Sequence, residues 1–317
     1  MFKLALVALL CITLTSANTG NEFAFQKFME FTNNFNKVYA TPEEFSARFT
    51  IFKNNLLEVL ASNKFSSSSH TKGINQFSDL TFEEFKAGYL NLKVPQNFNA
   101  YCNARFTNLR DAPASFDWRD QKKVSPVKNQ KSCGSCWTFS VVAMLESQSL
   151  INGKSDLFSE QQIVDCDKNN YGCNGGWPQV ALQYLQGSGI ESESAYPYKA
   201  VDQKCSFDKT KVIAHTSDVK CWENPTVATL QSQLFTIGPL SIVVDATNFS
   251  SYSSGLLNCT RNTSMNHAVL LVGYTQDSWI IKNSWGPAWG EKGFIRVSNV
   301  KGKNCLVGSY MVASKLS

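Results

Sequence analysis

The sequence predicts an α+β protein whose helical half and strand-rich half form two subdomains with a cleft between them, behind a separate helical N-terminal segment. Three observations carry this. From residue 112 the chain first holds apolar runs at helical spacing, "CWTFSVVAMLESQSLINGK", "SEQQIVDC" and "WPQVALQYLQ". It then changes to short apolar or alternating runs between turns, "PLSIVVDA", "HAVLLVGY", "SWIIKNSW" and "GFIRVSNV". Before residue 112 it is rich in Phe, Asn, Lys and Glu, with helical periodicity. Helices segregated from strands mark an α+β chain, and a cleft forms where two such halves meet.

The opening "MFKLALVALLCITLTSANTG" has Lys3, an apolar run from Leu4 to Leu14 and small residues to Ala17. That is the layout of a secretory signal peptide, cleaved after Ala17, and its apolar core is too short to span a bilayer. The expected division is a signal peptide over 1–17, a second segment over 18–111 and a mature domain over 112–317, with no membrane anchor. The formal net charge of +5 is scattered, with no basic motif, which argues against a nucleic-acid partner. Secretion makes the ten cysteines disulfide candidates rather than metal ligands. Loss of Cys11 with the signal leaves an odd number, so at least one thiol is free or paired outside the chain.

In the N-terminal segment, "TPEEFSARFTIFKNNLLEVLASNKF" predicts a helix from Thr41 to Asn63, with Thr41 as cap and Pro42 in the first turn. Phe45, Phe49, Phe52, Leu56, Val59 and Leu60 share one face at three- and four-residue steps. A Ser-rich loop, a short extended piece and a second helix capped at Thr81 follow. Leu92 to Asp111 reads as an extended linker. In the mature part, Gly153 ends the first helix and Ser159 caps the second.

The chemistry centres on "NQKSCGSCWTFS". Cys136 stands at a helix start, where the helix dipole favours the thiolate. A thiolate nucleophile needs a proton-handling partner, and the chain has three histidines. His70 lies in the Ser-rich loop and His215 in "KVIAHTSDV", where a half-buried or surface role fits better. His267, in "MNHAVLLVGY", opens an apolar strand that can aim its ring into a cleft. Asn283, in "IIKNSWG", can fix the imidazole tautomer, with Trp285 shielding that bond. Gln130 can offer a side-chain N–H to a developing oxyanion beside the Cys136 backbone N–H.

"NQKSCGSCWTFS", "GCNGGW", "MNHAV" and "KNSWGPAWGEKGF" resemble the papain-type cysteine peptidases, in that family's order and spacing. Glu44, Arg48, Phe52, Asn55, Val59 and Asn63 resemble the Glu-Arg-Phe-Asn-Ile-Asn pattern of cathepsin L- and H-like propeptides, with Val for Ile. Gly73, Asn75, Phe77 and Asp79 match their second signature. The resemblance covers everything after the signal. It implies a papain-like fold with a helical left domain, a β-barrel right domain and the active-site cleft between, preceded by a helical inhibitory propeptide whose linker lies through the cleft in reverse polarity. It assigns Cys136 as nucleophile, His267 as general base and acid, Asn283 as the His-orienting residue and Gln130 as oxyanion donor, with no metal or cofactor.

It further implies disulfides Cys133–Cys173, Cys166–Cys205 and Cys259–Cys305, which spacing alone leaves among fifteen pairings. Substrate contacts fall on Gly175, Gly176, Trp177, Pro178, Val243, Met265, Ala268, Trp285 and Tyr310. Tyr310, counted from Cys305, forms the floor of the pocket for the second acyl-side residue and makes it shallow, favouring Leu or Val. Leu306 departs from the family's Gly. The implied product is a secreted or lysosomal cysteine endopeptidase made as a zymogen. Its partners are protein and peptide substrates, its own propeptide and cystatin-like inhibitors. Sequons at Asn248, Asn258 and Asn262 imply glycosylation, Asn258 least because it adjoins Cys259. A cathepsin H-like aminopeptidase is the alternative, although Cys102 and Cys221 read better as two separate thiols. A non-catalytic binding or inhibitor protein and a thioredoxin-like oxidoreductase are the rivals from other classes.

Overall fold

The computed structural model describes residues 20–65, 68–96, 110–259 and 263–317. The expected signal peptide, Cys102 and Asn262 lie outside them. The first two helices are α1 (20–34) and α2 (Pro42–Phe65). Thr41 Oγ1 accepts from the Glu44 N–H at 3.2 Å, and the Glu44 carboxylate accepts from the Ala40 N–H at 2.7 Å, so both ends of the cap are satisfied. Phe28 and Phe31 of α1 pack on Phe52 and Leu56 of α2 in a small core of their own. Leu60, expected on that face, is 45% exposed, because the inward stripe drifts past it to Val59.

The residues of the two propeptide signatures hold this unit together. Asn55 donates to the carbonyls of Ser78 and Leu80 at 2.9 and 3.0 Å. Asp79, nearly fully buried, accepts from Lys37 at 2.8 Å and from the Tyr39 hydroxyl at 3.0 Å. Arg48 pairs with Glu84 at 2.8 Å. Strand β1 (His70–Lys72) is tied to α2 through Asn63, and α3 (Phe82–Tyr89) starts in a Thr81/Glu84 capping box.

The remaining helices are α4 (Cys136–Ile151), α5 (Glu160–Cys166), α6 (Pro178–Ser188) and α7 (Val227–Ile237). The strands are β2 (Phe116–Asp117), β3 (Ile190–Glu191), β4 (Val212–Ala214), β5 (Thr216–Trp222), β6 (Leu240–Val244), β7 (Tyr252–Leu257), β8 (His267–Tyr274), β9 (Ser278–Lys282), β10 (Phe294–Ser298) and β11 (Met311–Leu316). Ser159 caps α5 and Gly153, at φ 80°, follows α4. The strand-rich half contains one unexpected helix, α7, capped by the Thr226 hydroxyl.

The large sheet runs β1-β7-β10-β9-β8-β6-β11-β5, with β2 on β8. Among the described strands the pairings form an open path from β1 to β5. Strand β1 of the N-terminal segment adds antiparallel to β7, His70 facing Gly255, and thereby covers an edge that would otherwise show unpaired backbone groups.

Helix α4 lies against β8, buried along most of its length. Behind that contact Lys128 bonds Glu146, Glu160 and Glu193 at 2.7, 2.9 and 3.0 Å, and Lys282 of β9 donates to Ser125 at 2.9 Å. Ser125 donates in turn to Glu146, so a buried polar network ties the helical half to the sheet. Asn55→Ala leaves two backbone carbonyls without their donor, and we expect a loss of about 2 kcal/mol from the propeptide unit. Thermal melting of the zymogen would then show an earlier first transition, whereas an unchanged melt would show that Asn55 is not needed.

Candidate active site

Cys136 is the first residue of α4 and is fully buried; it is the one free thiol among the described residues. The other half-cystines form Cys133–Cys173, Cys166–Cys205 and Cys259–Cys305. Cys221, read from the sequence as a separate thiol, is instead disulfide-bonded, and its partner lies outside the described residues. The C-x-x-C is therefore one structural cysteine beside one free one.

The backbone of Ala268 reaches the Cys136 sulfur, which places the thiol next to His267 at the start of β8. His267 Nε2 lies 2.8 Å from Asn283 Oδ1. That oxygen also accepts from the Ser284 N–H, which orients the amide and makes Nε2 the protonated nitrogen. Nδ1 is buried and makes no hydrogen bond of good geometry, with the Tyr89 backbone on its side of the ring. The Trp285 ring lies 4.8 Å from the imidazole and covers the pair. Gln130, fully buried, accepts from Ser284 Oγ at 2.7 Å and donates one amide hydrogen to the Cys133 carbonyl at 3.0 Å. Its second amide hydrogen remains available. His215 is exposed and pairs only its backbone, with Ser317, while His70 stacks on Tyr252 at 6.5 Å; both stand apart from this cluster.

Helix-start geometry leads one to expect a stabilised thiolate, but burial overrides it here. Burial pushes the Cys136 thiol up to about 12, against backbone hydrogen bonds from Ala268, Trp137 and Cys136 itself. Burial likewise pulls the His267 imidazole down to about 4, against the Asn283 bond and the backbone of Tyr89. Both groups are thus neutral in this form. The cover is the N-terminal segment: Tyr89, Phe77 and Phe85 pack edge-on against Trp285, and Gln76 Nε2 donates to the Trp285 carbonyl at 2.6 Å.

From Tyr89 the N-terminal segment continues through the cleft. Leu92 N–H donates to the Asn266 carbonyl at 3.3 Å and Lys93 N–H to the Gly176 carbonyl at 3.2 Å, one bond to each wall. Gly175, at φ 110°, lets Asn91 approach so closely that any Cβ there would overlap the Asn91 carbonyl. Gly176 sits on the Trp137 indole with no room for a Cβ. Val243 pairs with Ala268 across β6 and β8, and its N–H donates to the Tyr310 carbonyl at 3.3 Å. The Trp177 and Tyr310 rings lie 4.5 Å apart, Pro178 opens α6, and Met265 packs from the edge. Leu306 takes φ 62°, the left-handed region in which glycine is at ease, so this chain keeps the glycine conformation without the glycine.

Gln179 escaped the sequence reading; its Oε1 accepts from the buried Tyr310 hydroxyl at 3.2 Å. Its adjacency to Trp177 and Pro178 was the available signal. Of the sequons, Asn248 is exposed, and the Asn258 side chain donates to propeptide Ser69 at 2.9 Å.

Residues 112–315 match the family model described as papain family cysteine protease, and residues 28–85 match the cathepsin propeptide inhibitor domain (I29). The chain is 36% identical over 305 residues to a viral cathepsin of Lymantria dispar multicapsid nuclear polyhedrosis virus, covering 91% of this chain and 85% of the viral protein. It is 37% identical to chymopapain of Carica papaya, covering 90% of this chain and 84% of chymopapain. Among solved structures, procathepsin L2 from the Tenebrio molitor larval midgut superposes with a TM-score of 0.85 at 35% identity, covering 92% and 99% of the two chains.

With burial holding it far above its ordinary range, the Cys136 thiol is scarcely ionised at pH 7. Alkylation of Cys136 by iodoacetamide in the intact zymogen should therefore be at least about 100-fold slower than in the processed protein, rising about tenfold per pH unit through the alkaline range. Equal rates in the two forms, read by mass spectrometry, would refute a buried neutral thiol.

Proposed function

The chain belongs to the papain family of cysteine proteases and is made as a proenzyme with a cathepsin-type propeptide, and from that premise we propose that it is an endopeptidase acting through Cys136 and His267. The observation that carries this reading is the 2.8 Å bond from His267 to Asn283 beside a free helix-start cysteine. When the propeptide leaves, water returns to the cleft. The cost of charging both groups falls, and a proton passes from the Cys136 thiol to His267 Nδ1.

The thiolate attacks the substrate carbonyl, and the oxyanion is held by the second Gln130 amide hydrogen and the Cys136 backbone N–H. His267, oriented by Asn283 and shielded by Trp285, gives its proton to the leaving amine. Water, deprotonated by His267, then attacks the thioester, releasing the acid and restoring the thiol. The substrate main chain uses the Gly175–Gly176 edge that Lys93 occupies in the zymogen. Running from Tyr89 beside His267 to Lys93 beside Gly176, the propeptide has the opposite polarity to a substrate whose acyl side lies at Gly176.

Trp177, Pro178, Val243, Met265, Ala268 and Tyr310 line the pocket for the second acyl-side residue. The Tyr310 floor favours Leu or Val over Phe and accepts Arg weakly.

The remaining assignments extend the same reading. Residues 1–17 direct the chain to the secretory pathway, for an acidic vacuole or the exterior. Residues 18–111 are shed to leave 112–317. Asn248 is the sequon best placed for a glycan, and cystatin-like inhibitors fit the open cleft. Among the described residues no helix is long and apolar enough to cross a membrane.

Acid-activated, reduced protein should cleave an amino-blocked peptide with Leu in the second position, and Cys136→Ser should abolish this. Asn283→Ala should lower kcat by about 10²-fold, as expected for loss of the group that fixes a catalytic tautomer. Turnover of a free amino-acid amide alone would overturn the endopeptidase reading in favour of an aminopeptidase. No turnover of either would favour a binding protein.

A further inference from the structure

Tyr198 lies outside the catalytic cluster yet touches the two chain segments that shape the oxyanion site. Its hydroxyl donates to the Gln130 carbonyl at 2.7 Å and lies 2.7 Å from Ser135 Oγ. A phenol has one proton, and the Gln130 carbonyl can only accept, so Ser135 is the donor in the second bond. Ser135 immediately precedes Cys136, whose N–H is one proposed oxyanion donor; Gln130 supplies the other. One hydroxyl thus links the backbone of one donor to the residue before the second. The ring itself is held edge-on against Phe139 of α4 at 4.8 Å, and the next residue is anchored when the Lys199 N–H donates to Gln161 of α5 at 2.7 Å. Burial raises the phenol well above its ordinary range, so it stays a donor throughout the enzyme's working pH.

We propose that Tyr198 is a positioning residue for the oxyanion site, setting the spacing between the Gln130 amide and the Cys136 N–H through its bonds to Gln130 and Ser135. The proposal rests on the reading of Gln130 as an oxyanion donor. Such donors act over a narrow range of distance, so a small rotation of the Gln130 peptide costs rate. The charge on the carbonyl oxygen develops only in the transition state, so the loss belongs in kcat rather than KM.

The test is a mutant cycle on acid-activated full-length protein, with folding followed by thermal melting. Gln130→Ala should lower kcat by about 100-fold; an unchanged kcat would sink the oxyanion reading itself, and with it this proposal. Tyr198→Phe, which keeps the ring, should lower kcat about tenfold with KM unchanged. Iodoacetamide alkylation of Cys136, which forms no oxyanion, should keep its rate. In the Gln130→Ala background Tyr198→Phe should cost nothing further. Full activity of Tyr198→Phe, a loss confined to KM, or the same fold-loss in both backgrounds would overturn the proposal. If Tyr198→Phe does not fold, Ser135→Ala decides the matter. It should lower kcat about threefold in the parent and not at all beside Gln130→Ala, and any other pattern would overturn it.

Discussion

The amino end of α4 lies against the first residues of β8, and this contact places a helix-start cysteine beside a strand-start histidine. Neither half of the molecule carries the chemistry alone. The helical half supplies Cys136 and Gln130; the sheet supplies His267, Asn283 and Ser284. Ser284 closes the arrangement by donating to Gln130 from the far wall. The buried Lys128 network and the Ser140 hydroxyl, which donates to the Val269 carbonyl at 3.2 Å, hold the two halves at fixed spacing behind the site. A buried hydrogen-bonded network gives rigidity, and rigidity is what a two-sided site needs.

The propeptide uses the same physics with the opposite result. It covers the cleft with Phe77, Phe85 and Tyr89, adds β1 to the exposed edge of β7 and threads Leu92 and Lys93 between the walls. Inhibition is then electrostatic as well as steric. Desolvation moves the cysteine and histidine to their neutral forms, so the ion pair needed for attack is unavailable while the cover is in place.

Much of this was legible in the sequence because its signals are local. Thr41, Thr81 and Ser159 mark helix starts by short-range capping, and "MNHAVLLVGY" reads as a strand by composition. The resemblance supplied what local signals lack, the meeting of Cys136, His267, Asn283 and Gln130 across more than a hundred residues. What stayed hidden depends on tertiary context. Helix α7 lies among strand-like runs, and only its packing distinguishes it from them. Closure of the sheet could not be judged from strand count, since β1 comes from the propeptide. The helix dipole argued for a thiolate at Cys136, and only the cover shows that burial outweighs it. Gln179 and Tyr198 are unremarkable until their partners, Tyr310 and Gln130, arrive from distant segments.

Under the propeptide the Cys136–His267 pair is uncharged. The most direct test follows the His267 ring nitrogens by ¹⁵N NMR in the intact zymogen and in the processed enzyme. The zymogen should show a neutral, Nε2-protonated ring at pH 6, titrating only near the value of about 4 that burial imposes, and the processed enzyme an imidazolium at the same pH. A zymogen ring already charged at pH 6 would contradict it.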